Sequence, residues 1–255
     1  MLTFPNCKIN LGLFITNRRD DGYHDLETVF YPVMHLQDAL EIVPAQTEEP
    51  RMSITGLSIS GNKENNLVWK AYQLMRERFN ERVPELDIFL HKTIPMGAGL
   101  GGGSADGAFM LRLVNDYCSL ELSQDELAAM ALTLGSDCPF FIYNTPQFAT
   151  GRGENMQPLP LDLSDFEIQI VTSDVHVSTK EAFANIHPQP GTFDLRQLSV
   201  EDIENWRYYL LNAFEEPVFS IYPKLKEIKQ RLYDDGAVYA AMSGSGSAVY
   251  GIFRK

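Results

Sequence analysis

The richest concentration of chemistry in the chain is the run Pro95-Met96-Gly97-Ala98-Gly99-Leu100-Gly101-Gly102-Gly103-Ser104, with five glycines in ten residues. Loss of side chains lets a ligand approach the main chain, and glycine reaches positive φ without steric cost. A structural turn is the plain alternative, but an ordinary turn needs glycine at only one or two positions. From Ser104 to Asn115 the sequence carries Ala105, Ala108, Phe109 and Leu113 at helical spacing. A helix opening at the end of such a loop presents unpaired amides and roughly half a unit of positive charge. A phosphate group suits that position.

Two named phosphate patterns match in part. Gly97, Gly99 and Gly102 satisfy G-x-G-x-x-G, but the acidic residue required about 20 positions later should end a second strand. Glu121 and Glu126 fall there instead, within or beside a Ser123/Glu126 capping box, which weakens a dinucleotide reading. Gly97 to Ser104 also fits G-x-x-x-x-G-K-[ST], except that Gly103 stands where the lysine is required. Lys8, in Lys8-Ile9-Asn10-Leu11, is a cation available from elsewhere, although a lone lysine more often lies on an exposed strand edge. Asp137 sits in Gly135-Ser136-Asp137-Cys138-Pro139-Phe140-Phe141, between a helix end and an apolar run. A buried aspartate needs a cationic or hydrogen-bonding partner, and Lys8 is a candidate.

Lys8-Ile9-Asn10-Leu11, the loop from Pro95 to Asp106 and the late Met242-Ser243-Gly244-Ser245-Gly246-Ser247 together resemble the GHMP kinases. The likeness is closest to the branch of that family acting on a cytidine diphosphate alcohol of the non-mevalonate isoprenoid pathway. Asp21-Gly22-Tyr23-His24, the full glycine run and Gly151-Arg152-Gly153-Glu154 carry it. The resemblance implies an α+β chain with the two-domain GHMP kinase fold. A ribosomal protein S5 domain 2-like N-terminal domain over residues 1–160 would bind ATP and hold the catalytic groups, and a ferredoxin-like α+β C-terminal domain would span 161–255, with the active site between them. The implied activity is that of an ATP-dependent small-molecule kinase: transfer of the γ-phosphoryl group, with Mg2+, to the 2-hydroxyl of cytidine diphosphate methylerythritol.

The resemblance also assigns roles. Asp137 matches the family's catalytic aspartate and Lys8 the lysine paired with it. Pro95, Met96, Gly97, Ala98, Gly99, Leu100, Gly101, Gly102, Gly103 and Ser104 would hold the ATP phosphates. Asn66, with Leu67 and Val68, and Lys92 align with positions near the adenine and ribose, although Lys92 alone reads more naturally as a solvated strand residue. Tyr23 and Phe183 are expected on either side of the cytosine, with His24 bonded to it, and Asn10 and Thr179 on the methylerythritol or diphosphate portions. Phe183 fits a core position as well, and the Gly244 turn either abuts the phosphates or simply enters the last strand. Ser104 is the one candidate offered for magnesium. Cys7, Ser136 and Cys138 depart from the family pattern, in which alanine, alanine and valine or isoleucine are common.

The elements that must position these residues are legible in the spacing. Leu86, Ile88 and Leu90 alternate as in a strand, Asn66 caps a helix carrying Leu67, Ala71, Leu74 and Met75, and the helix opened by Ser123 should stop near Gly135. Past the polar stretch from Gln157 to Ser164, Phe166, Ile168 and Ile170 alternate again. Ser178 with Glu181 repeats the capping-box signature. Ile221, Leu225, Ile228 and Leu232 mark a helix between Pro223 and Gly236, and Ala248 to Phe253 reads as a closing strand.

Composition narrows the field. Against 21 lysines and arginines stand 34 aspartates and glutamates, a net charge of −13, which argues against nucleic acid or an anionic membrane as partner. Three cysteines, Cys7, Cys118 and Cys138, contain no C-x-x-C pair and support neither a disulfide framework nor a cysteine-rich zinc site. Neither a leader pattern in Met1 to Asn10 nor a long apolar span is evident, so a soluble, cytoplasmic monomer or weak homodimer is expected. The rival readings are a mevalonate or homoserine kinase, which would not need the Tyr23 and Phe183 pair, and a non-catalytic GHMP-fold binding protein, which would not need both Lys8 and Asp137. A dinucleotide oxidoreductase is more distant.

Overall fold

The structure, a computed structural model, describes residues 1–255 apart from 48, 60 and 185. The strands are β1 Leu2–Thr3, β2 Asn6–Arg18, β3 His24–Gln37, β4 Ala39–Pro44, β5 Met52–Gly56, β6 Leu86–Lys92, β7 Gln147–Thr150, β8 Asn155–Pro158, β9 Phe166–Val171, β10 Tyr239–Met242 and β11 Val249–Arg254. The α-helices are α1 Leu67–Phe79, α2 Gly102–Tyr117, α3 Gln124–Leu134, α4 Cys138–Tyr143, α5 Thr179–Ala184, α6 Trp206–Tyr209, α7 Glu215–Ile221 and α8 Pro223–Asp234. The content is α+β, and the chain packs as two compact units whose segments interleave. The first holds Met1–Cys7, Met34–Met96 and Gly101–Asn144; the second holds Lys8–Val33, Gly97–Leu100 and Thr145–Lys255.

The first unit contains a sheet ordered β1-β4-β6-β5 and the helices α1 to α4. Leu40 pairs with Leu90 and Ile42 with Ile88, so the apolar alternation of β4 and β6 falls on one buried face. Phe89, one residue out of phase, points the other way and is exposed. The expected cap is present: Asn66 Oδ1 accepts the Val68 amide at 2.8 Å and opens α1. At Gly107 an added Cβ would lie 3.0 Å from the Leu67 side chain, so glycine there sets how closely α2 approaches the start of α1. The Ser123/Glu126 capping box forms in both directions and opens α3, which ends at Leu134.

The second unit contains most of the sheet β2-β3-β7-β8 and the antiparallel sheet β10-β11-β9. α8 packs on β10 and β11, with Leu225, Leu232, Ala240, Met242 and Val249 in one apolar cluster. Two local expectations are corrected. Ser178 Oγ accepts the Glu181 amide at 3.1 Å, but the Glu181 carboxylate takes the Tyr222 hydroxyl, at 3.2 and 3.1 Å, instead of closing a box. Ile221 ends α7 and is exposed rather than lying on α8. The reason is Pro223, which disfavours helical geometry at Tyr222 (φ −123°, ψ 74°) and so separates the two helices.

Candidate active site

The glycine run serves two packing tasks in succession. Gly97, Gly99 and Gly101 have φ of 71°, 80° and 73°, a region costly to residues with a Cβ. At Gly99 a Cβ would lie 1.9 Å from the Ser243 carbonyl oxygen, and Ser243 Oγ donates to the Gly99 carbonyl at 2.9 Å. Ala98 O accepts the Ala248 amide at 3.0 Å and Leu100 O accepts the Lys8 amide at 2.9 Å. The Gly244 turn thus lies against Gly99, and Asn212 fixes it by donating Nδ2 to Met242 O at 2.7 Å and Gly244 O at 2.9 Å.

From Gly101 onward the run opens α2 in the first unit, two residues earlier than the apolar spacing suggests. No side chain caps this helix, so its leading amides stay available to an anion. A Cβ on Gly102 would meet Ile94 Cγ2 at 2.7 Å, so the turn closes only over glycine. Burial pushes the Cys138 thiol up to about 12, and the Ser104 hydroxyl beside it acts in the opposite direction. Asp137 immediately precedes that thiol as the half-buried first residue before α4, and its carboxylate does not cap the helix. The first turn of α2 and the neighbourhood of Asp137 therefore adjoin within one unit.

Lys8 is not on an exposed edge. It is 4% exposed on β2, with Nζ donating to Asn10 Oδ1 at 2.6 Å and lying 5.0 Å from the centre of the Phe30 ring. Asn10 Nδ2 donates to Thr28 Oγ1 at 2.9 Å, which donates in turn to Gly12 O at 2.5 Å. The Asn10 amide is committed to orienting Lys8, a role its type alone did not reveal.

Lys92 is likewise not solvated. It is 1% exposed, donating Nζ to Asp38 Oδ2 and, at 2.6 Å, to Asp106 Oδ2. Asp38 Oδ1 accepts the Thr93 amide at 2.6 Å and the Ile94 amide at 2.9 Å, so its lone pairs are well used. Asp106 is pushed up to about 8: burial raises it, Lys92 opposes and Asp38 reinforces. Asn66, Lys92, Met96 and Gly103 from the expected nucleotide set line one cleft of about 550 Å³ in the first unit, together with Ile54, Leu57 and Asp106.

In the second unit Tyr23 is 56% exposed, with the Arg152 guanidinium 4.8 Å from its ring centre. The turn before it is held by Arg19, which bonds Asp21 and Asp25 and accepts the Gly22 amide on its carbonyl at 3.1 Å. Phe183 is half-buried, stacked on His24 at 4.8 Å and 24°, with Phe214 edge-on at 4.8 Å. Its ring therefore belongs partly to the core cluster, as its alternative reading anticipated. Thr179 is exposed at the start of α5. Asp38, Asp106, Thr28, Asn212 and Arg152 received no role from sequence; only Asp106 and Arg152 lay inside quoted motifs. Among the described residues no group of three or more His, Cys, Asp and Glu is arranged to hold a metal.

Two family comparisons match: GHMP kinases N terminal domain over residues 66–145 and GHMP kinases C terminal over 194–255. With full-length relatives at about half identity, the chain belongs to the GHMP kinases. It is 52% identical over 256 residues to the 4-diphosphocytidyl-2-C-methyl-D-erythritol kinase of Bacteroides thetaiotaomicron, covering 100% of this chain and 92% of that protein. The protein of the same name from Parabacteroides distasonis is 48% identical, again over 100% of this chain and 92% of the relative. Among solved structures, a 4-(cytidine 5'-diphospho)-2C-methyl-D-erythritol kinase superposes with a TM-score of 0.83 at 32% identity, covering 99% of this chain and 90% of the other. A homoserine kinase from Cytophaga hutchinsonii shares the fold at TM-score 0.71 and 18% identity, over 98% of this chain and 85% of that one. No helix among the described residues is long and apolar enough to cross a membrane.

Proposed function

We propose that this protein transfers the γ-phosphoryl group of ATP to the 2-hydroxyl of 4-diphosphocytidyl-2-C-methyl-D-erythritol, giving the 2-phosphate and ADP. The observation that carries the mechanism is the Ser104 to Cys138 contact, which brings the residue next to Asp137 against the first turn of an uncapped helix. In the reaction the acceptor oxygen forms a bond to Pγ, the bond from Pγ to the β-bridging oxygen breaks, and the hydroxyl proton departs. Such transfer passes through a loose transition state, so positioning and charge neutralisation supply most of the rate. The α2 amides meet the phosphates. Asp137 orients the acceptor hydroxyl and receives its proton as the bond forms, a carboxylate being a weak base for an alcohol until then. Lys8, held by Asn10, offsets developing negative charge.

Magnesium would be held at the Ser104 hydroxyl, the ion retaining waters and leaning on substrate phosphates, and when bound it would neutralise phosphate charge. On the acceptor side, the exposed Tyr23 ring, with Arg152 beside it, suits a stacked nucleobase, with His24 and Thr179 as neighbouring polar contacts. Residues 1–160 would carry nucleotide binding and catalysis and 161–255 the C-terminal domain, with the two family matches lying on either side of that position. The partners are then two small molecules. ATP-dependent ADP formation with the cytidine compound, beside mevalonate and homoserine, tests the reading. Turnover of either simpler alcohol with none of the cytidine compound overturns it.

A further inference from the structure

The cleft of the first unit contains a polar atom that the fold leaves unused. Asp106 is 3% exposed and lines the cleft, and its two carboxyl oxygens have unequal fates. Oδ2 is taken by Lys92 at 2.6 Å. Oδ1 is buried without a hydrogen-bond partner among the described residues, although Asp38 in the same cluster has both oxygens engaged. A buried polar atom left unpaired costs roughly as much as a lost hydrogen bond, so its persistence points to a partner that arrives from outside the chain. The cleft tells what kind. Ile54, Leu57 and Leu67 supply apolar wall for a flat ring, and Asn66 and Gly103 supply polar edge next to the α2 terminus. Lys92 and Asp38 fix the Asp106 carboxyl group in place before any ligand binds.

We infer that Asp106 is a binding residue for the nucleoside part of the phosphoryl donor, with Oδ1 the atom that meets it. The inference rests on the kinase reading above and deepens it. It assigns discrimination among donors to a hydrogen bond from the helix that also meets the phosphates. The contacting group is a ribose hydroxyl or the 6-position edge of the base, and the two are separable by probe.

The test is calorimetric titration of the full chain with ADP, 2'-deoxy-ADP and inosine diphosphate at fixed magnesium, for the wild type, Asp106→Ala and Asp106→Leu. The wild type should bind one of the two analogues roughly tenfold to a hundredfold more weakly than ADP, the range for a hydrogen bond to a charged or strongly polar group. Asp106→Ala should bind ADP more weakly and lose most of that difference, a coupling that general loosening of the cleft would not produce. Asp106→Leu keeps the volume while offering no polar atom in place of Oδ1, and it decides the matter where the alanine variant does not fold. A changed ratio between ADP and the discriminated analogue supports the assignment. Unchanged discrimination in a folded variant, or no discrimination by the wild type, overturns it while the kinase reading stands. A wild type that binds no ADP overturns both.

Discussion

Replacing Lys92 with methionine keeps the length and apolar stem of the side chain and removes the charge that two buried carboxylates share. Lys92 is 1% exposed, and the Asp38 and Asp106 side chains 0% and 4%, so water does not take over the vacated role. Breaking a buried ion pair from one side costs about 3–5 kcal/mol. For a chain of this size each kcal/mol moves the melting midpoint by about 2–4 °C, so a fall of about 6–20 °C is expected. The surface pair Lys224 to Asp174, with side chains 55% and 80% exposed, is the control; exposed pairs contribute about 0–1 kcal/mol, so Lys224→Met should barely shift the melt. The pH dependence fixes the sign. Asp106 rises from 3.8 to about 8 on folding, so between those values the folded chain holds a proton that the unfolded chain has lost, and stability falls as pH rises. Without Lys92, which pulls Asp106 down, the Asp106 carboxyl needs its proton still more, so the deficit of the variant should widen from about pH 5.5 to about pH 8.5. Adding Asp38→Asn and Asp106→Asn should restore part of the midpoint, because no stranded charge remains. Calorimetric or circular-dichroism melts measure all of this. A folded Lys92→Met chain melting within about 2 °C of wild type at pH 7.5 would refute the reasoning, since that is below the smallest shift derived above.

Three further outcomes follow from the site. Asp137→Asn should lower turnover by about two to four orders of magnitude in a coupled ADP-release assay, with ADP affinity little changed by titration. Gly99→Ala should lose stability and raise the KM for ATP, because its Cβ would lie 1.9 Å from the backbone oxygen of Ser243 at a φ of 80°. Gly22→Ala shares a positive φ, 84°, but has nothing within 4 Å, so thermal melts should show only the intrinsic cost of about 1–2 kcal/mol. Tyr23→Ala should raise the KM for the cytidine acceptor by roughly 5-fold to 150-fold, the equivalent of about 1–3 kcal/mol of stacking, while the KM for ATP holds steady.

What could be read from sequence was local. Leu86, Ile88 and Leu90 gave up their strand, Asn66 its cap and Ser123 with Glu126 its box, because each signal spans only a few residues and no distant group competes for it. Where a distant competitor exists, the reading slips: Glu181 leaves its box for Tyr222, 41 residues away. The same limit explains Lys92. A lysine ending a strand looks solvated until Asp38, 54 residues earlier, and Asp106, 14 later, are brought to it. Lys8 stood out only by its company, and the Asn10 to Thr28 bond that orients it crosses between strands. The glycine run was legible as chemistry because five glycines exceed what a turn needs, yet the reason for Gly99 in particular, the Ser243 carbonyl, lies 144 residues away.

The net charge of −13 now bears on how an acidic chain takes polyphosphate ligands. Where clustered lysines and arginines build an anion site, the attraction is long-ranged and falls with salt. Here Lys92 is spent on Asp38 and Asp106, and Arg152 faces Tyr23 and Glu154. Main-chain amides at the start of α2 act over a turn of helix and require close approach. Close approach is what glycine permits, and Gly is abundant between residues 97 and 103. Burial, which pushes Asp106 up to about 8, also contributes, because a bare carboxylate in that cleft would repel the ligand the helix terminus attracts.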